Sequence, residues 1–326
     1  MSKTDAAPRL SIVIVSWQSG TELVACVESL AAARRLAAFE IELVIVDNAS
    51  TDFPASGVDS AWPGARLIRN EANRGFGPAA NQGATAAGGD VVLFLNPDTR
   101  AVDSPFPPLL DAFEEHPEAV AVVPRLLDAD SPGHAPQSHF QLRRLPSMGQ
   151  ATRELLLLDR LFPNSRAARR AHYLDRDLDR PFAVEQPAAA ALTVRRDVFR
   201  RLGGFDESFV PAWFEDVDLC ARLLDEGTIL YWPTSRFDHL GGGAARSLGY
   251  DWFLPVYYRN ACRYWRKHHG RTGSATYRTL LCVGMVLRLI ALPLAPASPA
   301  SATRAFARAI LVALGIGIGP APARPR

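Results

Sequence analysis

Cysteine is scarce and dispersed: Cys26, Cys220, Cys262 and Cys282 are the only four in 326 residues, and no two form a CxxC pair. Neither a disulfide framework nor a thiolate metal site is indicated, and a reducing compartment is the simpler reading. No GxxxxGK[ST] occurs, which excludes a P-loop nucleotide hydrolase. No GxGxxG follows the first strand-like run, where Ser16-Trp17-Gln18-Ser19-Gly20 stands instead, so a dinucleotide-binding Rossmann domain is not indicated. A GxSxG elbow is missing too. The start of the chain is polar, and the apolar run after it is too short for a signal peptide, so a cytoplasmic protein is expected. What is abundant is apolar residue, 48% against 21% charged, with a mean hydropathy of −0.01. That composition rules out a disordered, collagenous or multi-span membrane chain and leaves one large domain or two small ones.

The net charge of +2 hides a split. From Asp251 to Arg326 there are eleven Lys or Arg and one acid, leaving 25 bases and 33 acids in the first 250 residues. A basic tail interleaved with apolar residues suits an anionic membrane surface better than nucleic acid, and no nucleic-acid partner is expected. The tail's charge-free stretches are 279–287, 289–303 and 309–323. None reaches the roughly 20 residues of a bilayer span, and Pro293, Pro296 and Pro299 interrupt the second. Helices lying on a membrane and helices packed in a homo-oligomer both remain open.

Along the body, the run LSIVIVS at 10–16 has the pattern of a strand buried on both faces. A helix is predicted over 21–38 with Thr21 as a possible cap, then strands at 41–46, 66–69 and 91–95 with a helix at 77–87 between the last two. Residues 129–147 read as a long loop of the kind that often carries function, and 153–180 as a charged, helical stretch. A strand is predicted over 186–194, a helix over 195–202 stopped by Gly203-Gly204, an acidic helix start within 211–227, and a short strand at 228–232. This order indicates an α/β fold, a doubly wound, mostly parallel sheet flanked by helices, with a helical basic and apolar C-terminal extension. Ligands in such sheets sit beyond the carboxyl ends of the strands, where Asp47 and Asp98 fall.

With the nucleotide motifs excluded, the chemistry left is carboxylates and one histidine: Asp47, Asp52, Asp98, Glu215, Asp216, Asp218 and His239. They sit in a series of motifs in fixed order: VSWQSG, VDNASTD, NRGFGPAANQG, LNPDT, GGFDESF, FEDVDLCAR and HLGGG. The series resembles the family 2 inverting glycosyltransferases with a GT-A fold, and within them the bacterial dTDP-rhamnosyltransferases. The match runs from about Ser11 to Gly243. It implies a catalytic domain over 1–250, with a nucleotide-binding half at about 10–125 and an acceptor half at about 126–250, and a helical extension over 251–326.

From its own position, Asp47 at a strand tip could accept the imide N–H of uracil or thymine, or cap the turn Asn48-Ala49-Ser50. The resemblance favours the base and places Val15, Trp17, Arg74 and Asn96 around the nucleotide, although Trp17 is equally consistent with core packing. Asp52 could face the ribose or diphosphate, or be a surface residue. Asn96-Pro97-Asp98 stands where relatives carry DxD. Its implied ligand is Asp98, joined by His239, on a Mg²⁺ or Mn²⁺ that stabilises a leaving diphosphate. Asn96 in place of the first acid implies that the metal leans more on the donor. At the acidic helix start, helix-dipole stabilisation accounts well for Asp218. The resemblance makes Asp216 the base that deprotonates the acceptor, with Glu215 orienting the acceptor or the base. Trp213 and Phe214 could form a sugar-stacking wall or simply core. The expected partners are a dTDP- or UDP-sugar donor, a glycan or lipid-linked acceptor and the inner face of the plasma membrane. A non-catalytic sugar-nucleotide or glycan-binding member of the same fold is the alternative.

Overall fold

The computed structural model describes residues 9–131, 133–241, 249–292 and 299–316. Gly242 and Gly243 of HLGGG, as well as Pro293 and Pro296, lie outside them. The described chain gathers into two units, 1–145 with 172–244 and 146–171 with 245–326. The segment 146–171, assigned from the sequence to the acceptor half, thus groups with the C-terminal residues.

The first unit opens with β1 (Leu10–Ser16), α1 (Gly20–Arg34), β2 (Ile41–Asp47), α2 (Ala55–Ala61), β3 (Arg66–Arg69), α3 (Phe76–Ala86), β4 (Val91–Leu95), β5 (Thr99–Ala101), α4 (Phe106–Glu115) and β6 (Ala119–Asp128). Next come α5 (Ser138–Gln141) and β7 (Leu142–Arg143), then α6 (Met148–Leu155), α7 (Leu158–Leu161) and α8 (Arg166–Ala171) of the second unit. The first unit resumes with β8 (Phe182–Ala183), β9 (Gln186–Pro187), β10 (Ala191–Arg195), α9 (Arg196–Arg201), α10 (Glu215–Leu224) and β11 (Thr228–His239), and the second with α11 (Tyr250–Ala291) and α12 (Pro299–Ala313).

The main sheet runs β3-β2-β1-β4-β10-β6-β11-β5, with β8 added along β11. β1 is parallel to β2 and β4, β2 to β3, and β6 to β11, whereas β10 is antiparallel to both neighbours. Alternate residues of β1 feed opposite cores: Leu10, Ile12 and Ile14 pack with α1, α2 and α4 on one face, and Val13 packs with α3, α9 and α10 on the other. That double burial explains the unbroken apolar runs. The α/β sheet with helices on both faces, expected from the sequence, is present.

Three local readings are corrected. α1 starts at Gly20 rather than Thr21, because the Asp52 carboxylate accepts the Gly20 N–H at 3.0 Å. The run predicted as one strand over 186–194 breaks into β9 and β10, since residues 188–190 bond elsewhere. β11 continues seven residues past the predicted stop, crossing Pro233 through a register shift between Trp232 and Arg236.

In the second unit, α11 reverses at Gly270, whose φ of 66° is left-handed. Trp265 and Tyr277, one from each arm, stack with ring centroids 5.1 Å apart. By length and composition alone the whole of α11 passes as a possible membrane span, but the reversal at Gly270 divides it into two arms. Two cations of its second arm serve as helix caps: Arg278 donates to the Val312 and Ala313 carbonyls that end α12, and Arg288 to the Glu154 and Leu155 carbonyls that end α6. The same arm exposes Val283, Val286, Leu287 and Ile290, an i, i+3, i+4, i+7 stripe.

Candidate active site

The carboxyl ends of β1, β2 and β4 lie side by side, with Ser16 opposite Asp47 and Ile14 opposite Leu95. Asp47 is fully buried. Its Oδ1 accepts the Ser50 N–H at 2.9 Å, and its Oδ2 accepts from Arg69 Nε at 3.1 Å. The turn cap foreseen as one alternative is therefore formed, and each carboxylate oxygen keeps a further lone pair for a ligand N–H. The loop after β1 is tied to the loop after β2: Gln18 N–H donates to Ser50 Oγ, and Gln18 Oε1 accepts from Thr51. Val15 and Trp17, both half-buried, flank Ser16, the residue opposite Asp47 in the sheet.

Asn48, 2% exposed, staples the next loop. It donates to Asn73 Oδ1 and the Gly75 carbonyl, and its own oxygen accepts from the Arg74 N–H and Asn70 Nδ2. The Arg74 side chain projects to solvent. Gly75 is needed here: its φ is 90°, and a Cβ would lie 2.7 Å from the Pro211 carbonyl oxygen. That oxygen also accepts the Phe76 N–H at 2.8 Å, so the start of α3 abuts the segment leading into α10. GGFDESF docks on α3 as well, with Asn81 bonding both the N–H and the carbonyl of Phe205 at 2.9 Å.

The turn after β4 carries Asn96 and Asp98. Asn96 acts through its backbone: its N–H donates to the Ala190 carbonyl at 2.9 Å and its carbonyl accepts from Thr99 Oγ1 at 2.8 Å. Asp98 is 9% exposed and faces His239, with Oδ1 3.5 Å from Nε2. His239 ends β11, opposite Thr99 of β5, and is 1% exposed. Its Nδ1 lies 2.7 Å from Gln137 Oε1, while Nε2 has no hydrogen-bond partner among the described residues. A buried imidazole nitrogen without a partner, aimed at a carboxylate oxygen, fits a hard divalent cation. Two ligands at right angles on an octahedral ion, at about 2.1 Å each, lie about 3 Å apart. No third His, Cys, Asp or Glu joins this pair among the described residues.

α10 begins after Trp213 and Phe214, both left-handed with φ of 73° and 74°. Asp216 Oδ1 accepts the Val217 N–H at 2.8 Å, and Oδ2 lies 3.5 Å from the Ala189 N–H. Burial raises the Asp216 pKa, opposed chiefly by the positive charge of Arg143. Burial pushes the Glu215 carboxyl well above the ordinary range, with the Asp216 charge adding to it. Glu215 Oε2 is buried and has no partner among the described residues. Asp218 instead pairs with Arg222 at 2.8 Å, which donates to the Leu202 and Gly204 carbonyls. It holds the helix start to the GGF turn.

Two consecutive residues join the two carboxylate regions. The Ala189 N–H is directed at Asp216, and the Ala190 carbonyl holds Asn96, two residues before Asp98. Asp98 thus meets His239 directly, the Ala189–Ala190 segment links the Asp98 turn to Asp216, and Asp47 stands at the end of β2, two strands from β4. The reading from sequence gave Asn48 only as part of a turn and passed over Gln137, Arg143 and Phe140, whose ring stacks on His239. The only signal for the last three was the length of the 129–147 loop.

The sequence profile of Glycosyl transferase family 2 matches residues 11–175. The N-acetylglucosaminyl-diphospho-decaprenol L-rhamnosyltransferase of Mycobacterium tuberculosis is 29% identical over 250 residues, 72% of this chain and 76% of that one. Among solved structures, GalNAc-T7 with UDP, GalNAc and Mn²⁺ aligns with a TM-score of 0.55 and 19% identity over 80% of this chain, which spans about half (49%) of its length. The mannosyltransferase PcManGT of Pyrobaculum calidifontis, with GDP-Man and Mn²⁺, aligns at 0.53 and 13% identity, covering 96% of this chain and 88% of that one. Both share its fold.

Proposed function

Because the chain belongs to glycosyl transferase family 2, we propose that it is an inverting glycosyltransferase of cell-surface glycan synthesis. It moves L-rhamnose from dTDP-L-rhamnose to a hydroxyl of a lipid-linked or polysaccharide acceptor. The observation that carries this reading is the Ala189–Ala190 junction, which sets the Asp98 turn and Asp216 on either side of one short segment. The choice of sugar and of a lipid-linked acceptor is supported by the name of the mycobacterial relative.

In this reading the buried Asp47 carboxylate accepts the imide N–H of thymine or uracil, with Val15, Trp17, Arg74 and Asn96 around the nucleotide. Asp98 and His239 would hold Mg²⁺ or Mn²⁺. A divalent cation bound there supplies charge neutralisation to the departing diphosphate. Asp216 takes the proton of the acceptor hydroxyl. The hydroxyl oxygen bonds to the anomeric carbon on the face opposite the diphosphate, the carbon–oxygen bond to the diphosphate breaks, and the nucleoside diphosphate leaves with inversion. The raised pKa of Asp216 makes its carboxylate a stronger base. Glu215, whose burial favours the protonated form, orients the acceptor as a hydrogen-bond donor, beside Trp213 and Phe214. The enzyme works at the inner face of the plasma membrane, with the exposed stripe from Val283 to Ile290 and the basic tail in contact with lipid.

Incubation with dTDP-L-rhamnose and Mn²⁺ tests the reading. Release of dTDP, with the transferred sugar inverted at its anomeric carbon by NMR, is expected. Tight binding of the donor without any release, with or without acceptor, would make the protein a non-catalytic binding member, the outcome that Asn96 in place of an acid favours. Sedimentation with vesicles containing anionic lipid tests the membrane contact, and Ile290→Glu should weaken it.

A further inference from the structure

The geometry points to Gln137 as a positioning residue that fixes the tautomer of His239 and thereby presents a bare Nε2 toward Asp98. The Gln137 amide touches His239 twice: its Nε2 donates to the His239 carbonyl at 2.8 Å, and its Oε1 lies 2.7 Å from His239 Nδ1. A carbonyl can only accept, so the first bond settles which end of the amide is which. The atom facing Nδ1 is therefore an oxygen, also only an acceptor, and Nδ1 must carry the ring proton. In the neutral imidazole the lone pair is then on Nε2, the nitrogen that is buried without a hydrogen-bond partner among the described residues, 3.5 Å from Asp98 Oδ1.

Gln137 is itself held in place. Its N–H donates to the Leu126 carbonyl at 2.9 Å, beside a bridge between Leu127 and Pro136, so the segment extends the end of β6. Four residues on, buried Gln141 accepts the Leu126 N–H at 2.9 Å and anchors the same turn. Between them, the Phe140 ring stacks on the His239 ring with centroids 5.1 Å apart and planes 24° apart, which fixes the plane of the imidazole. Gly241 passes close by: a Cβ there would sit 3.6 Å from Gln137 Nε2. An acceptor on one ring nitrogen that leaves the other available is the arrangement by which proteins orient a metal-ligating histidine. The role in metal binding rests on the cation reading given above; the tautomer assignment does not.

The test uses the full-length protein with ¹⁵N-labelled histidine and no metal. A long-range ¹H–¹⁵N correlation recorded over a pH series distinguishes protonated from bare ring nitrogens, and His239→Asn identifies the His239 signal. Wherever the wild-type spectrum shows the His239 ring neutral, its proton should be on Nδ1 and its lone pair on Nε2, and this result alone decides the tautomer, whether or not any Gln137 variant folds. Gln137→Leu should shift His239 toward the mixture of tautomers of a free imidazole and weaken Mn²⁺ binding about 10- to 100-fold, measured by EPR titration of Mn²⁺ with dTDP present. Gln137→Glu, which keeps an acceptor on Nδ1, should restore the tautomer. A neutral wild-type His239 with its proton on Nε2, or a folded Gln137→Leu with unchanged spectrum and Mn²⁺ affinity, would overturn the proposal. A wild-type protein with the expected tautomer that takes up no Mn²⁺ would instead overturn the cation reading and with it the metal role of Gln137.

Discussion

Asp216→Asn separates chemistry from structure at this site. The substitution is isosteric and removes only the capacity to take a proton. The side-chain oxygen can still accept the Val217 N–H, the shorter of its two backbone contacts at 2.8 Å. The new amide nitrogen then meets the Ala189 N–H, a contact already long at 3.5 Å, so the structural cost is about 1 kcal/mol or less. Loss of a general base costs about 10²- to 10⁴-fold in rate, equivalent to about 3–5 kcal/mol in the barrier. The kinetic effect should therefore exceed the structural one several times over. Turnover measured as dTDP released from dTDP-L-rhamnose should fall by at least about two orders of magnitude, while the dTDP affinity in the presence of Mn²⁺, by calorimetry, stays near that of the wild type. The pH profile supplies a second arm. Burial raises the Asp216 pKa, and only the ionised carboxylate accepts a proton, so the wild-type rate should fall as the pH drops through that raised value. A folded variant that keeps turnover within about fivefold, far short of the loss expected for a base, would refute the assignment.

Other outcomes follow from the same geometry. Asp98→Ala and His239→Ala should each abolish the gain in donor affinity that Mn²⁺ brings and leave the weaker metal-free binding unchanged, as read by thermal shift with dTDP. Glu215 keeps its proton in the folded chain at pH values where the unfolded chain has lost it, so its ionisation erodes stability as the pH rises from the usual carboxylate range through the raised value. Urea melts should accordingly find Glu215→Gln more stable than wild type near pH 8, with the gap closing near about pH 4; a constant gap would contradict it. Gly75→Ala must place a Cβ 2.7 Å from the Pro211 oxygen at a φ of 90°, and should cost about 1–3 kcal/mol in denaturant melts. An unchanged midpoint would mean the α3–α10 junction is looser than described.

The sequence made most of the sheet legible, because strands buried on both faces cannot afford polar interruptions: β1, β2 and β4 are near-continuous apolar runs. It failed where long-range partners replace local ones. Residues 188–190 look like strand, yet the Ala188 N–H goes to Gln141, the Ala189 N–H toward Asp216, and the Ala190 carbonyl to Asn96. Pro233 cannot donate to a ladder and reads as a stop, but a register shift carries β11 past it to His239. The first N–H of α1, that of Gly20, is accepted by Asp52, 32 residues away in sequence. At the site, the carboxylates were legible from their place at strand tips and a helix start. Gln137 was not, since it lies 102 residues from the histidine it contacts in a segment without periodicity.

The central claim is that one cation, held between Asp98 and His239, meets the donor diphosphate within reach of Asp216. A crystal structure with Mn²⁺ and dTDP, its anomalous map calculated at the manganese edge, tests this most directly. The account predicts one strong peak bonded to Asp98 Oδ1, His239 Nε2 and the diphosphate oxygens, with the thymine N–H on Asp47. A nucleotide bound in this cleft with manganese elsewhere, or with His239 turned away from it, would contradict it.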